Sequence, residues 1–399
     1  MSIYKAENFS GKVLAGSVDC FENTKCYQIF DPQIMAFFDD CSRLIRKVSR
    51  KRNYDDLLTF AFFCRKANLS ALAKNYGGVL RIGLGRGVHI APGNVPVNLA
   101  FTLLFGLISG NACLVRAPTK SFPQLELLYE IIQSVLDNSE YLGLGERFCI
   151  FQCEHDDPWF IDSLSNSRSR VVWGGDITVR KIKQIDSRLD CTDLVFGDRV
   201  SLAIIDAASI SELHLDEVSA LGRRFCNDTI LFDQNACSSP VQILWLNFES
   251  HKDSVEKFWS SVAEAEQDYM PIGAKKFIDK LVNVTKKIST TGEISMSVFS
   301  PGTFVLDPIK ASDDWSSIRL GLYPQIPIED IKSIKNYVSA KTQTITYFGL
   351  DPVILAQQII DDCLEGVDRI VPVGDALDIG FVWDGKDVVR HLSRVISVK

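Results

Sequence analysis

A chain of 399 residues, 46% of them hydrophobic, is longer than one ordinary core accommodates, so two domains of unequal size are expected. Lys and Arg number 43 against 50 Asp and Glu, and the net charge of −7, with both signs mixed along the chain, argues against nucleic-acid binding as the main business. The most apolar run, "VPVNLAFTLLFGLI", is broken by Asn98 and Thr102 and falls short of the roughly 18–20 apolar residues of a membrane span, so no span is expected.

The opening "MSIYKAENFSGKVLAG" has neither a basic segment followed by an apolar core nor a small-residue cleavage site, and nothing in it argues for export. Cysteines stand at 20, 26, 41, 64, 113, 149, 153, 191, 226, 237 and 363, an odd number scattered mostly through apolar stretches. That pattern suits reduced thiols, and the expected location is cytoplasmic. No repeat, low-complexity tract or Pro/Gly/Ser linker interrupts the chain, so the domains are expected to join through packed structure.

A helical opening rich in Arg and Lys runs from Phe37 to Ala73. "GVHIAP" then predicts a strand, "VNLAFTLLFGLIS" a helix started by Pro96, "ACLVRAP" a strand, and "FPQLELLYEIIQSVL" a helix with Leu125, Leu128, Ile132 and Leu136 on one face. Strand "RVVWGG" and helix "DITVRKIKQI" follow. Strand, helix, strand in repetition means right-handed crossovers and a largely parallel sheet, with ligands at the strand C-termini. A second set opens with strand "SLAIID" and helix "EVSALGRRFCND", passes a loop around Cys237 to strand "PVQILWLN", and continues with helices near residues 253–287. Strand "TQTITYFGL", helix "PVILAQQIIDDCL" and strand "DRIVPVG" complete it. The fold class is α/β, with two domains on mostly parallel sheets: residues 1–206, ending near Asp206 where the first sheet runs out, and residues 207–372. A tail, 373–399, ends in an exposed-looking "RHLSRVISVK" able to pair with another subunit.

"RIGLGRGV" spaces Gly83, Gly85 and Gly87 as G-x-G-x-G and precedes a strand where a dinucleotide fingerprint demands a helix, so it reads as a tight turn. Cys149 and Cys153, in "CIFQC", have the wrong spacing for a metal knuckle and no second pair, and His155 adds little; no metal is expected. The histidines at 89, 155, 214, 251 and 391 lie in no recognisable hydrolase context, and no G-x-S-x-G occurs. "RLIRKVSRKR" reads as the solvated face of a helix, with the holding of anionic CoA phosphates as the alternative.

Cys237, in "FDQNACSSPVQILW", has surroundings unlike those of a core thiol. Asp233, Gln234, Asn235, Ser238 and Ser239 turn and expose the chain, leaving backbone N–H groups around the sulfur that stabilise a thiolate. On the residues alone it is either a nucleophile or an incidental loop cysteine. Asn94, in the Pro-Gly-Asn-x-Pro turn of "HIAPGNVPVNLAF", stands between a strand and a buried helix, where its amide is placed to stabilise an oxyanion or simply to cap a turn.

Taken in order, these pieces resemble the aldehyde dehydrogenase superfamily, and within it the acyl-CoA reductases of the bioluminescence fatty acid reductase type. "APGNVP" looks like the family's Pro-x-Asn-x-Pro turn, "SGNACLVRAPTKS" resembles its Gly-Asn-x-x-x-x-basic-x-Pro strand, and "VVWGGDITVRKI" is similar to its Gly-containing turn into a cofactor-contacting helix. "NACSSPVQIL" falls where the family keeps its nucleophile. The similarity runs from about Val79 to Leu246, with weaker support through "RIVPVGDALDIGFVWDG", and residues 1–60 carry no motif recognisable in the sequence alone.

The resemblance implies an NADP(H)-binding first domain and a second domain carrying the cysteine. It assigns Cys237 as nucleophile and the Asn94 amide to the oxyanion hole. Ala91, Pro92 and Gly93 of the turn are assigned to the cofactor. Arg116, Thr119 and Lys120 are assigned to the adenosine ribose, and Gly174, Gly175 and Thr178 to the pyrophosphate turn and its helix. Basic residues at the ribose without a carboxylate favour a 2′-phosphate, hence NADPH over NADH. Members that oxidise aldehydes to acids carry a glutamate in a Glu-Leu-Gly-Gly stretch; here the corresponding run is "DLVFGDR", with Val195 at the carboxylate position and Asp198 or Glu212 as possible substitutes. Lacking that base tilts the chemistry toward reduction of an acyl-CoA thioester to an aldehyde. An oxidising NAD(P)-dependent dehydrogenase and a catalytically silent scaffold stand as alternatives. A carrier protein or an acyl-transferring synthetase is a possible acyl donor, and the superfamily's habit implies a dimer or tetramer.

Overall fold

The computed structural model describes residues 8–52, 54–141, 143–269, 273–291, 295–307 and 318–398. The chain divides into two units, one of residues up to Gly197 together with those from Ile379 onward, the other Asp198–Asp378. The first unit carries β1 (Lys12–Gly16), β2 (Arg81–Gly83), β3 (Arg86–Ile90), β4 (Ala112–Arg116), β5 (Phe148–Gln152), β6 (Ser169–Trp173) and β7 (Thr192–Phe196). Six of these strands form a sheet in the order β1-β5-β4-β3-β6-β7. All neighbours in it are parallel except β1 with β5.

Alternation of apolar side chains builds a layer on each face of that sheet. Cys113, Val115, Phe148, Ile150, Val171 and Trp173 face one core, covered by α1 (Pro32–Arg52), α2 (Asp55–Phe63), α3 (Lys66–Ala73), α4 (Asn98–Ile108) and α5 (Pro123–Leu136). Val88, Ile90, Leu114, Cys149, Phe151 and Val172 face the other, beneath α6 (Pro158–Ser165) and α7 (Asp176–Lys183). Every residue of α4 from Leu99 to Ile108 is buried, which explains a helix apolar on all sides. Gly106 lets α4 approach the sheet closely, since a Cβ there would collide with Cys113 Sγ.

The second unit contributes β8 (Val200–Asp206), β9 (Pro240–Leu246), β10 (Ser295–Val298), β11 (Phe304–Asp307), β12 (Leu322–Pro327), β13 (Thr342–Phe348) and β14 (Arg369–Pro372), in the order β10-β11-β12-β9-β8-β13-β14. Only the β10–β11 pair is antiparallel among these. On one face lie α8 (Ala207–Ser211), α9 (Leu215–Thr229) and α10 (Lys252–Ala265), and on the other α11 (Ala274–Thr291) and α12 (Pro352–Asp361) contribute Val284 and Leu355.

Three features differ from the sequence expectations. β8 opens the second sheet, as the place of "SLAIID" at the head of the second set expects, because it pairs with β9 and β13, so the second unit begins before the boundary drawn at Asp206. Strands β1, β5, β7, β10, β11 and β12 were not anticipated; β12 contains Pro324, Gln325 and Pro327, a composition that reads against an interior strand. The expected tail is divided, since residues up to Asp378 stay in the second unit. The remainder forms β15 (Val382–Trp383), β16 (Lys386–Asp387) and β17 (Ser393–Val395), and β17 pairs antiparallel with β2 of its own unit.

Candidate active site

In the first unit, the chain runs from β3 to β4 to β5 on one side of the sheet, and then returns to place β6 on the other side of β3. Such a reversal leaves a crevice beyond the C-terminal ends of the strands that flank it. All three candidate cofactor segments emerge there. Ala91–Asn94 follows β3, Arg116–Lys120 ends β4, and Gly174–Thr178 links β6 to α7. Ala91 N–H donates to Arg116 O at 3.0 Å, which ties the first two segments together. Ala91 and Pro92 are buried, whereas Gly93, Asn94, Thr119 and Lys120 are exposed. The Asn94 side chain has no hydrogen bond among the described residues.

Gly175 caps α7 with extended backbone, and Gly174 packs so closely on it that a Cβ would lie 3.3 Å from Thr178 Cβ. A helix start of this kind presents backbone N–H groups, which suit an anion. Beneath the β3 turn, Thr102 Oγ1 accepts from Trp173 Nε1 at 2.9 Å and lies 2.9 Å from His89 Nδ1. Burial pushes His89 down to about 4, so the ring is neutral at ordinary pH. Arg116, expected at the ribose, is 3% exposed. Its Nη2 donates to Cys153 O at 2.8 Å and its guanidinium lies over the Phe160 ring. The accessible basic residue of that segment is Lys120.

Cys237 lies in the second unit on the loop between α9 and β9, half-buried. Its loop is held by Gln234, whose Nε2 donates to Pro240 O at 3.2 Å and whose Oε1 accepts from Gly321 N–H at 2.7 Å. Asp233 and Gln234 both adopt positive φ, 52° and 57°, backbone that only a well-determined surrounding maintains. Strands β8 and β13 supply the direct contacts. Ser201 Oγ donates to Cys237 O at 2.7 Å, and Gln343 Nε2 donates to Cys237 Sγ at 3.1 Å.

Arg319, just ahead of β12, and Arg369, on β14, both lie within electrostatic range of Cys237. Burial lowers the proton affinity of each guanidinium; the cysteine opposes that shift at Arg319, and at Arg369 Asp378, Asp228 and Asp375 oppose it ahead of the cysteine. Arg369 donates to Ala376 O and Asp375 O, each at 2.8 Å. Gly374 N–H and Ala376 N–H in turn donate to the buried Asp228 carboxyl, which burial pushes up to about 7. Of the other ten thiols, Cys26 is half-buried and Cys363 exposed, and the remaining eight are shifted by burial. Burial pushes Cys149 and Cys226 up to about 12 and Cys153 to about 11, and raises Cys20, Cys41, Cys64, Cys113 and Cys191. Such thiols are poor nucleophiles.

The family model for acyl-CoA reductase (LuxC) matches residues 20–291, more than half of the chain. The chain belongs to that family. Relatives of this acyl-CoA reductase family member include the long-chain acyl-protein thioester reductases of Aliivibrio fischeri, 22% identical over 325 residues, and Vibrio harveyi, 25% identical over 321. The match covers 78% of this chain in both cases, and 64% and 63% of those proteins, so the chain spans less than two thirds of their length. Aldehyde dehydrogenase 21 of Physcomitrella patens, solved with succinate, aligns with a TM-score of 0.67 at 11% identity, covering 91% of this chain and 85% of that one. Glyceraldehyde-3-phosphate dehydrogenase of Methanocaldococcus jannaschii, solved with NADP, gives 0.65 at 12%, covering 92% and 88%. At these identities the likeness establishes an aldehyde-dehydrogenase-like fold.

In this acyl-CoA reductase family member, the candidate residues of the two units stand at opposite ends of their own strands. The general rule of strand C-termini describes the Asn94 side, but Cys237, Gln343, Ser201 and Arg369 all stand at the N-terminal ends of the second unit's strands. Of the substitutes for the missing carboxylate, Glu212 follows α8, beyond the C-terminal end of β8, whereas Ser201, which touches Cys237, is near its start. Seven residues of strand separate the two ends by roughly 20 Å, so Glu212 is excluded. Asp198 stands at the Cys237 end, and Val195 lies on β7 with its carbonyl accepting from Lys386 Nζ at 2.8 Å. Among the described residues no His/Cys/Asp/Glu group fit to hold a metal occurs, and no helix is long and apolar enough to cross a membrane. Sequence reasoning missed Gln343, Arg319 and Gln234: the first two are remote from Cys237 in the chain, and the third reads as an ordinary turn residue.

Proposed function

We propose that the chain reduces an acyl thioester to an aldehyde through a covalent acyl group on Cys237, with NADPH as reductant. The observation that carries this reading is the half-buried Cys237 sulfur on its pinned loop, with the Gln343 amide donating to it at 3.1 Å and the Arg319 and Arg369 guanidinium groups within electrostatic range. Positive charge and N–H donors favour the thiolate, the form that attacks a carbonyl.

In the proposed reaction Cys237 Sγ bonds to the thioester carbon, and the donor thiol departs with the electron pair of the broken C–S bond. The Asn94 amide is assigned to the oxyanion, a donor worth about 2–4 kcal/mol of barrier. The first unit's residues fit a dinucleotide: Gly175 and the start of α7 offer N–H groups to the pyrophosphate, with Thr178 beside them, while Gly174, whose own N–H donates to Phe196 O at 3.1 Å, shapes the turn. Thr119 and Lys120 are exposed for a 2′-phosphate, and "RAPTKSF" carries no carboxylate to repel one. Ala91, Pro92 and Gly93 complete the cradle. Bound NADPH supplies hydride. Val195 in place of a carboxylate leaves no base there for hydrolysing the acyl-cysteine, which supports the reductive direction over the oxidation of aldehydes.

The relatives' names speak of acyl-protein thioesters, and the family's of acyl-CoA; both donors belong to one chemical class. The test supplies the purified chain with acyl-CoAs from acetyl to palmitoyl, and with acyl-protein, and traps aldehyde with a hydrazine. Aldehyde formation with NADPH, lost in Cys237→Ala, is expected. Asn94→Ala should lower kcat by about 10²–10³ with little change in KM. Full activity of Cys237→Ala would overturn the reading, and equal use of NADH would remove the 2′-phosphate part of it.

A further inference from the structure

We propose that Gln343 is a catalytic residue, its side-chain amide holding the Cys237 sulfur whenever that sulfur carries the free electron pair. The inference rests on Cys237 being the nucleophile. Gln343 is 4% exposed and stands second on β13, an unusual site for an amide in a strand otherwise of Thr, Ile, Tyr and Phe. Its Nε2 reaches Sγ at 3.1 Å, and Thr344 Oγ1 donates to its Oε1 at 3.3 Å, which fixes the amide with its N–H face toward the sulfur.

The neighbouring strand completes a clamp. Ser201 Oγ, 2% exposed, donates to Cys237 O at 2.7 Å and accepts from Thr344 N–H at 3.1 Å. Ser201 thus ties the backbone of the nucleophile to the strand that carries Gln343, and acts as a positioning residue. Charges around the clamp are Arg319 and Arg369, within electrostatic range of Cys237, and the Arg199–Asp368 pair, whose arginine donates to Thr342 O at 2.9 Å.

A thiolate accepts a hydrogen bond strongly, and a thioester sulfur accepts poorly. The Gln343 contact therefore favours Cys237 before attack and after release. In the release step the C–Sγ bond of the thiohemiacetal breaks, its electron pair returns to sulfur, and the oxygen re-forms the carbonyl of the aldehyde after losing its proton to solvent. Holding the departing sulfur makes it a better leaving group. No oxidant or reductant is consumed in this step.

Alkylation needs no acyl substrate and separates this inference from the reading beneath it. The full chain and Gln343→Met, nearly the same shape without a donor, would be treated with iodoacetamide across pH 5–10, following the Cys237 peptide by mass spectrometry. Buried cysteines serve as internal references, and melting curves confirm folding. The Met variant should be alkylated about tenfold more slowly near pH 7, its profile displaced upward by about one pH unit, and kcat should fall with KM unchanged. Gln343→Glu, which sets a carboxylate beside the sulfur, should displace the profile further, and it replaces the Met variant if that does not fold. Profiles that superimpose on the parent's in the folded variant would overturn the role of Gln343, even where the parent forms acyl-cysteine and aldehyde. A parent that forms neither would defeat the nucleophile itself.

Discussion

His89 and Asp228 are buried ionisable groups that burial moves in opposite directions, to about 4 and about 7. The unfolded chain takes up a proton on His89 near its ordinary value of about 6.5, which the folded chain refuses until about 4. Stability therefore falls as pH drops through that window, by about 3 kcal/mol for this group. Asp228 has the reverse sign: its folded form keeps a proton up to about 7, so its contribution is present below about 4 and is lost as pH rises through 7. Because the two windows overlap and oppose, the parent curve hides both. Urea midpoints of His89→Gln minus those of the parent, taken from pH 4 to 7, should show the His89 slope alone; a difference independent of pH would refute the neutral buried ring. That Cys237 and Asn94 sit outside the core, on a loop and a turn, was legible at this scale because the turn-forming residues around them depart from core composition. Gln343 was not, because 106 residues separate it from the sulfur and its own strand looks like sheet interior.

Strand β12 shows what element patterns conceal. Two prolines and a glutamine argue against an interior strand, yet Gln325 is 4% exposed and its polar atoms are all used. Its Oε1 accepts from Trp245 Nε1 at 3.1 Å and Trp259 Nε1 at 2.8 Å, and its Nε2 donates to Asp307 Oδ1 at 2.6 Å. The glutamine thereby joins β9, α10 and β11 around one buried amide. Gln325→Leu fills the space but strands two indole N–H groups, and should cost about 2–4 kcal/mol in chemical denaturation. A loss under about 0.5 kcal/mol would mean that the network contributes little. By contrast α4, α5, β3, β4 and β6 were readable because each is an apolar run or a clear period with a Pro or Gly at its end. Where Pro and Gln satisfy partners from distant strands, no local pattern reports it.

For the whole molecule, the alternation of strands and helices announced parallel sheets, whereas the order of strands depended on pairings far apart in sequence. The chain's end shows this well: Arg81 and Ser393 are hydrogen-bonded across 312 residues, and β17 closes on β2 rather than standing apart as a tail. The resemblance carried by a few motifs matches the family at an identity of 22–25% to its relatives, while the fold extends over 91% or more of the chain. Function across such distances rests on the site and not on the fold. The decisive measurement mixes the purified chain with an acyl thioester in the absence of reductant, quenches in acid and maps the adduct by mass spectrometry. One acyl group on the Cys237 peptide, absent from Cys237→Ala and discharged by NADPH as aldehyde, is the expected result; an unmodified Cys237 peptide from protein that still forms aldehyde on NADPH addition would contradict the account.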